Sequence, residues 1–195
     1  MNYERAYDFL TKKLKNELNT HITYHDVSHT KKVIASAVII ARAENITGQD
    51  LILLKTAALF HDSGFLLSRA DHEVHSCRLA KKYLPRYQYN EAEIELICKL
   101  IMTTKMPQSP DSQLSRILCD ADLYYLGEEG YAHQAENLYQ ELLSDQQMRS
   151  EREWLKMQID FLGAHSYFTP TANKNCDAGK SINLVALQSI YESSY

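Results

Sequence analysis

The chain has 195 residues, of which 45% are hydrophobic and 24% charged, and it contains only 6 glycines and 4 prolines. This balance suits a compact helical protein rather than a disordered or β-rich one, so we expect an all-α fold with a single domain over residues 1–195. The formal net charge is −4, and acidic and basic residues are interspersed. This excludes the basic surface of a protein that holds long nucleic acids.

Neither a membrane anchor nor an export signal is evident. No window approaches the roughly 20 apolar residues of a transmembrane helix, and Met1–Arg5 lacks the basic start and apolar core of a signal peptide. The four cysteines are far apart and form no CxxC pair, so we expect reduced thiols rather than a zinc knuckle or a redox motif. The sequence therefore predicts a cytoplasmic protein that does not contact a membrane.

The first two predicted helices follow from apolar periodicity. Apolar residues recur three or four apart from Tyr3 to Leu18, and a second helix opens within Tyr24–Thr30 and continues through an apolar body. If the second helix already includes His25, then His25 and His29 lie on one of its faces and can address one pocket. The alternative is that His25 is a surface residue and His29 a hydrogen-bonded core residue.

The third predicted helix, from about Gln49 to His61, ends in two groups that can bind a metal. Apolar residues run unbroken from Ala57 to Phe60, and His61 and Asp62 follow directly. Burying such a pair without partners costs several kcal/mol, on the order of the penalty for an unpaired buried ion. A bound cation would offset that cost. The alternative is a helix end at which His61 meets the negative end of the dipole and Asp62 begins a turn.

A fourth helix is predicted from about Ala70 to Leu84 and carries two more histidines. His72 and His75 are three residues apart and could share a face. Such a pair could reach a second cation or a phosphate. An exposed, polar helix start explains the same residues equally well.

The next stretch predicts a fifth helix and a polar loop. Asn90 is the expected N-cap, with Glu93 three residues later. The loop over residues 103–110 contains hydroxyl groups and Lys105. Lys105 is a weak candidate for binding substrate phosphate, because such a loop is equally typical of any surface connection.

Two aspartates, Asp120 and Asp122, lie within an otherwise apolar helical run, 114–127. Aspartate is a poor helix former and is costly to bury, so something must hold both carboxylates there. We take Asp122 as a candidate metal ligand and Asp120 as a candidate catalytic residue; in the alternative, one of them accepts hydrogen bonds from the backbone or an arginine. Further helices are predicted over 129–143, 149–165 and 169–191, with Trp154, Phe161 and Leu162 in the core.

Together, four of these residues form a mixed set of nitrogen and oxygen ligands from separate helices: His29, His61, Asp62 and Asp122. Such a set suits a divalent cation such as Mn, Fe, Co, Ni, Zn or Mg, with one or two per chain. A cation that keeps open positions can make water acidic and polarise a phosphoryl oxygen. That combination hydrolyses phosphate esters.

At these residues the chain resembles the HD superfamily of metal-dependent phosphohydrolases, whose pattern is His, then His-Asp, then Asp on an all-helical fold. Residues 24–29, Tyr-His-Asp-Val-Ser-His, are similar to the H-N-x-x-H segment of cyclic nucleotide phosphodiesterases, although Asp26 replaces their asparagine. Residues 119–123, Cys-Asp-Ala-Asp-Leu, are similar to their C-A-D-L segment. As a whole, the chain looks most like the small stand-alone bacterial HD proteins.

The resemblance implies a role for each residue. His29, His61, Asp62 and Asp122 would bind metal, Asp62 would also act in catalysis by bridging two ions, and His25 would protonate the leaving oxygen. We therefore expect hydrolysis of a phosphomonoester or phosphodiester in a small nucleotide-like substrate, and a homodimer is compatible with the sequence. The alternative is a nucleotide-binding regulatory module that binds metal with little or no turnover.

Overall fold

The computed structural model describes residues 1–194. These residues form helices and no strands, which confirms the predicted all-α class. The nine helices of the described chain are α1 (Tyr3–Glu17), α2 (Val27–Ala43), α3 (Gly48–Phe60), α4 (His72–Tyr83), α5 (Glu91–Met102), α6 (Gln113–Asp122), α7 (Tyr131–Ser144), α8 (Glu151–Ala164) and α9 (Pro170–Ser194). Short 3-10 turns follow α3, α4 and α6, at Ser63–Leu66, Leu84–Tyr87 and Tyr124–Gly127.

Helix α3 is the centre of the larger hydrophobic core, which α1–α6 and the start of α9 build around it. It packs against α1, α2, α5 and α6, and every residue from Thr56 to Phe60 is fully buried. A helix that is covered on several sides is apolar all round, which explains the unbroken apolar run before His61. The consequence is that α3 delivers His61 and Asp62 into the interior of the protein.

A second hydrophobic cluster lies between the end of α6 and helices α7–α9. Trp154 and Leu162 of α8 are buried in it, as predicted, whereas Phe161 is only half-buried. Tyr24, in the segment before α2, also packs in this cluster. The chain therefore has two apolar cores, and the predicted ligands lie where they meet.

Capping residues decide where two of the helices begin. Asn90 caps α5 and forms a reciprocal capping box with Glu93, as predicted. Helix α2 begins only at Val27, because the Asp26 side chain caps it by accepting the backbone N–H of His29 at 2.9 Å. His25 therefore precedes the helix, and the expectation that His25 and His29 share a helical face is wrong.

Helix α9, with 25 residues, is the longest in the described chain. It packs along α8 and against the 3-10 turn that follows α6. Across the described residues, neither α9 nor any other helix combines the length and the apolar character needed to cross a lipid bilayer.

The contact between α9 and the 3-10 turn depends on two glycines, and this generates a prediction about stability. A Cβ atom added to Gly179 would lie 2.0 Å from the carbonyl oxygen of Gly127. Gly179→Ala must therefore push the backbones apart, and we expect it to lower the free energy of unfolding by roughly 1–3 kcal/mol. Urea denaturation followed by circular dichroism measures this change.

Gly163→Ala is the matched control, because Gly163 is an exposed residue of α8 with no atom within 4 Å of an added Cβ. That substitution should raise the free energy of unfolding by up to about 1 kcal/mol, since alanine favours helix over glycine. Equal stability of the two variants would contradict the close approach of α9.

Candidate metal centre and the adjoining cavity

Three helices bring four side chains together. His29 lies in the first turn of α2, His61 and Asp62 directly follow α3, and Asp122 is the last residue of α6. One ligand atom from each residue lies within 4.8 Å of the others. Each histidine Nε2 lies 3.1–3.3 Å from the nearest oxygen of Asp62 and of Asp122. The four predicted ligands thus surround one point.

The orientation of these side chains fits a bound cation. Nε2 of His29, Nε2 of His61 and Oδ2 of Asp62 are buried and have no hydrogen-bond partner among the described residues. Nδ1 of His61 donates a hydrogen bond to the carbonyl oxygen of Ala58 at 2.8 Å, so its Nε2 carries the lone pair that a metal requires. Two imidazole nitrogens and two carboxylate oxygens form a donor set suited to a divalent cation.

Charge couples the four groups strongly. Burial alone lowers the pKa of His61, but the carboxylates of Asp62 and Asp122 outweigh burial and raise that pKa well above its usual value. The same carboxylates raise the pKa of His29, and the imidazoles hold the pKa of each carboxylate low in spite of its burial. A cation therefore competes with protons for this cluster, and its affinity rises with pH.

The second oxygen of Asp62 faces away from this cluster, toward α4. Its Oδ1 lies 3.4 Å from Nε2 of His72, which is also 3.5 Å from Oε1 of Glu73. This arrangement suits a carboxylate that bridges two ions. His75 does not join it, because its β-carbon packs beside Gly64 and the described chain shows no hydrogen bond or ion pair from His75 to the cluster. Glu73, rather than His75, accompanies His72.

His25 is held beside the cluster by a buried glutamate that the sequence analysis did not identify. Nδ1 of His25 lies 2.6 Å from Oε1 of Glu141, which is fully buried in α7. Oε2 of Glu141 accepts the backbone N–H groups of Tyr24 and His25, and Arg69 also donates to Glu141. Because an ionised carboxylate only accepts hydrogen bonds, Nδ1 of His25 carries the hydrogen, and Nε2 is the nitrogen left for the cavity.

Sequence offered only a weak signal for Glu141, a single charge within the apolar face of α7. Its partners lie 72 and 116 residues away along the chain, which no local pattern can reveal. The role of Glu141 is therefore visible only in the folded protein.

Phe65 orients two of the histidines. Its ring stacks on that of His25 at a centroid distance of 4.2 Å and contacts that of His72 at 4.4 Å. The residue before it is Gly64, where an added Cβ would lie 1.9 Å from the carbonyl oxygen of His72. Glycine is required two residues after Asp62, therefore, because the turn packs directly against the start of α4.

Asp120 lies outside the metal cluster, and its surroundings argue against the catalytic role expected for it. It is fully buried, and its two oxygens accept hydrogen bonds of 2.7–2.8 Å from the backbone N–H groups of Phe168 and Thr169 and from the Thr169 hydroxyl. Burial raises the pKa of Asp120 despite these hydrogen bonds. Its carboxylate ties α6 to the start of α9, which is the structural alternative considered above.

Lys105 lies at the mouth of the site and is exposed. Its Nζ forms an ion pair with Oδ1 of Asp71 at 2.7 Å. Both residues line the cavity described next, and the phosphate-binding role of Lys105 stays a prediction.

A cavity of about 430 Å³ opens from the metal cluster. Asp62, Asp122, His25 and His72 line one end of it, and the side chains of α7 and α8 line the other, among them Ala135, Trp154 and Phe161. This volume lies within the range of small-molecule sites in proteins, roughly 300–1,000 Å³. The cluster therefore faces a space that can admit a substrate.

Comparison with known proteins gives a family and a fold. A family model described as the HD domain matches residues 26–125, just over half of the chain. An uncharacterized protein of Clostridium beijerinckii is 32% identical over 92 residues, which are 46% of this chain and 58% of that relative. The match thus spans less than two thirds of the relative's length.

A solved structure supports the fold assignment. The chain is similar to a protein described as a predicted HD superfamily hydrolase from an uncultured Thermotogales bacterium, with a TM-score of 0.65 and 21% sequence identity. The similarity covers 98% of this chain and 92% of the other. At this identity, the likeness shows a shared fold.

Substitution of the two aspartates of α6 tests whether Asp122 is a metal ligand and Asp120 a structural residue. We expect Asp122→Asn to lose most of the bound metal, because it removes one of two charged ligands. Asp120→Asn should keep the metal and lower the free energy of unfolding by roughly 1–3 kcal/mol, because it disturbs a buried acceptor of three hydrogen bonds. Elemental analysis after metal loading and gel filtration, with urea denaturation alongside, measures both effects. Metal loss in Asp120→Asn alone would reverse the two assignments.

Glu141 should make stability depend on acid pH. Burial raises its pKa, but hydrogen bonds from His25, Tyr24 and Arg69 outweigh burial and place the pKa at about 2 instead of 4.5. Because the folded protein holds the lower pKa, this contribution is complete above about pH 4.5 and is lost as the pH falls toward 2. Between pH 5 and pH 3, the free energy of unfolding should fall by about 2 kcal/mol more in the unmodified protein than in Glu141→Gln.

Urea titrations at the two pH values measure this difference. Glu136→Gln, at an exposed position of the same helix, is the control and should keep the pH dependence of the unmodified protein. The same pH dependence in Glu141→Gln would show that Glu141 is not held as a charged group.

Proposed function

Since the chain belongs to the HD domain family, we propose that it is a metal-dependent phosphohydrolase that cleaves a phosphomonoester or phosphodiester bond of a nucleotide-like substrate. The observation that carries this proposal is the cluster of His29, His61, Asp62 and Asp122, which opens into a cavity of about 430 Å³. A histidine with a charged partner, His25, lines the same cavity. These features support metal-dependent hydrolysis in which His25 donates a proton.

The cluster residues would hold the cation, and Asp62 would face a second one beside His72. When bound, a divalent cation supplies Lewis-acid stabilisation of phosphoryl oxygens and lowers the pKa of water. The low pKa values of Asp62 and Asp122 keep both carboxylates charged and ready to bind it. The buried histidines would complete the donor set through Nε2 once the cation displaces their protons.

His25 moves the proton in this proposal. Glu141 accepts the hydrogen on Nδ1 of His25, so Nε2 is the nitrogen that would carry a proton toward the leaving oxygen. Stacking on Phe65 and the backbone contacts to Glu141 fix the ring in place. Arg69 donates hydrogen bonds to Glu141 of α7 and to Asp145, which follows α7. These contacts connect the segment after Asp62 to α7.

A regulatory module that binds a nucleotide and metal without turnover is the second candidate. It is favoured by two features near the cavity: Lys105 is paired with Asp71, and Asp26, which replaces the asparagine of related enzymes, caps α2. In this alternative, the phosphate binds but no group completes the reaction.

Phosphate release from a panel of nucleoside mono-, di- and triphosphates and cyclic nucleotides tests the proposal. We expect turnover that is lost with a chelator and restored by manganese. His25→Ala should lower kcat by about 10²–10⁴-fold with its metal content unchanged, because a proton donor is not a ligand. His133→Ala, which changes an exposed histidine of α7, should leave both kcat and metal content unchanged.

Three results would contradict parts of this scheme. Full activity of the metal-free protein would overturn metal dependence, and loss of metal in His25→Ala would overturn the role given to His25. Tight nucleotide binding with no phosphate released over hours would favour the regulatory module.

A further inference from the structure

We propose that the far end of the cavity binds an apolar ring, so that the substrate is a monophosphate in which a single phosphate is attached to a compact apolar group. This inference rests on the phosphohydrolase activity proposed above and specifies the group that carries the phosphate, which is then more apolar than the sugar of a nucleotide. It is drawn from the contrast between the two ends of one continuous cavity.

The end nearest the metal cluster is strongly charged. Asp62, Asp71, Glu73 and Asp122 line it together with Lys105, whose ammonium group is already paired with Asp71. One phosphate can be held here by cations at the cluster. Each additional phosphate would face the carboxylates of Asp71 and Glu73, and Lys105 is the single lysine or arginine among the described lining residues, so like charges would repel. The lining therefore disfavours diphosphates and triphosphates.

The opposite end of the cavity is apolar. It consists of lining residues that belong to the second hydrophobic cluster or pack against it: Leu126, Ala135, Leu138, Trp154, Phe161 and Leu162. No charged side chain of the described chain lines this end, so the hydroxyl groups of a bare sugar would lose their water without gaining charged partners. An apolar ring loses nothing on entering and gains the burial of its surface.

Gln158 is the polar group of this far end. Its Oε1 accepts a hydrogen bond from the Tyr131 hydroxyl at 2.7 Å, and the side chain is almost fully buried. Within the described chain, its Nε2 makes no hydrogen bond. The amide NH₂ group is therefore available to one acceptor on an otherwise apolar ligand, which makes Gln158 a candidate specificity residue.

Two phosphonates that differ only in a ring provide the test: benzylphosphonate and methylphosphonate, neither of which is hydrolysed. In the magnesium- or manganese-loaded protein, we expect benzylphosphonate to bind roughly tenfold to hundredfold more tightly. Calorimetry measures both affinities. Trp154 is the single tryptophan of the chain and lines the far end, so its fluorescence should change with benzylphosphonate and not with methylphosphonate.

A pair of substitutions on α7 locates the binding site of the ring. Ala135→Phe places a ring inside the far end and should abolish the preference for benzylphosphonate, with metal content and methylphosphonate affinity retained. Ala132→Phe makes the same change at an exposed position of α7 and should leave the preference intact. The comparison of the two phosphonates in the unmodified protein needs no variant, so it decides the question even if Ala135→Phe does not fold.

Equal affinities of the two phosphonates, or a preference that persists in folded Ala135→Phe, would overturn the inference. ATP that binds as tightly as benzylphosphonate would overturn the exclusion of polyphosphates.

Assays of hydrolysis distinguish failure of this inference from failure of the proposed phosphohydrolase activity. If binding depends on the ring but no phosphate is released from phenyl phosphate, the ring-binding site is supported and the phosphohydrolase activity is contradicted. If phenyl phosphate and ribose 5-phosphate are hydrolysed equally and binding does not depend on the ring, the activity is supported and the ring-binding site is contradicted.

Discussion

The compensation of buried charge at the end of α3 is the constraint on which the site depends. Because α3 is enclosed on several sides, His61 and Asp62 emerge inside the protein rather than at its surface. Unpaired, they would cost several kcal/mol. His29 and Asp122 approach from two other helices to complete an arrangement with alternating charge. A divalent cation would satisfy the two imidazole lone pairs and the two carboxylates together, and this is why α2, α3 and α6 must meet where they do.

Sequence reasoning predicted the features that are encoded locally. Apolar periodicity located the helices to within a few residues, and Asn90 with Glu93 marked the start of α5. The metal cluster was also predictable, because a histidine or aspartate in an apolar helical run is costly at any position and therefore informative. The family resemblance supplied the pairing of these positions, and the HD domain match confirms the family itself.

Long-range contacts account for what the sequence did not reveal. Asp120 and Asp122 are two residues apart and look alike in sequence. Phe168 and Thr169, just before α9, nevertheless supply three donors to Asp120, whereas the histidines surround Asp122. His25 was expected on a helix, but Asp26 begins that helix after it, and Glu141 holds the imidazole from α7. In each case, a deciding partner lies far away along the chain, where the spacing of local motifs carries no information.

The two ends of the cavity therefore come from different parts of the chain. All four cluster residues lie within residues 26–125, the segment that matches the family model. Glu141, Trp154 and Gln158 lie beyond it, on α7 and α8. In the proposed function, the segment that matches the family would hold the metal, and selection of the substrate would depend on side chains that the family match does not reach. Because an apolar wall built by α7 and α8 shares one cavity with the charged cluster, the proposed substrate is amphipathic on the scale of one small cavity.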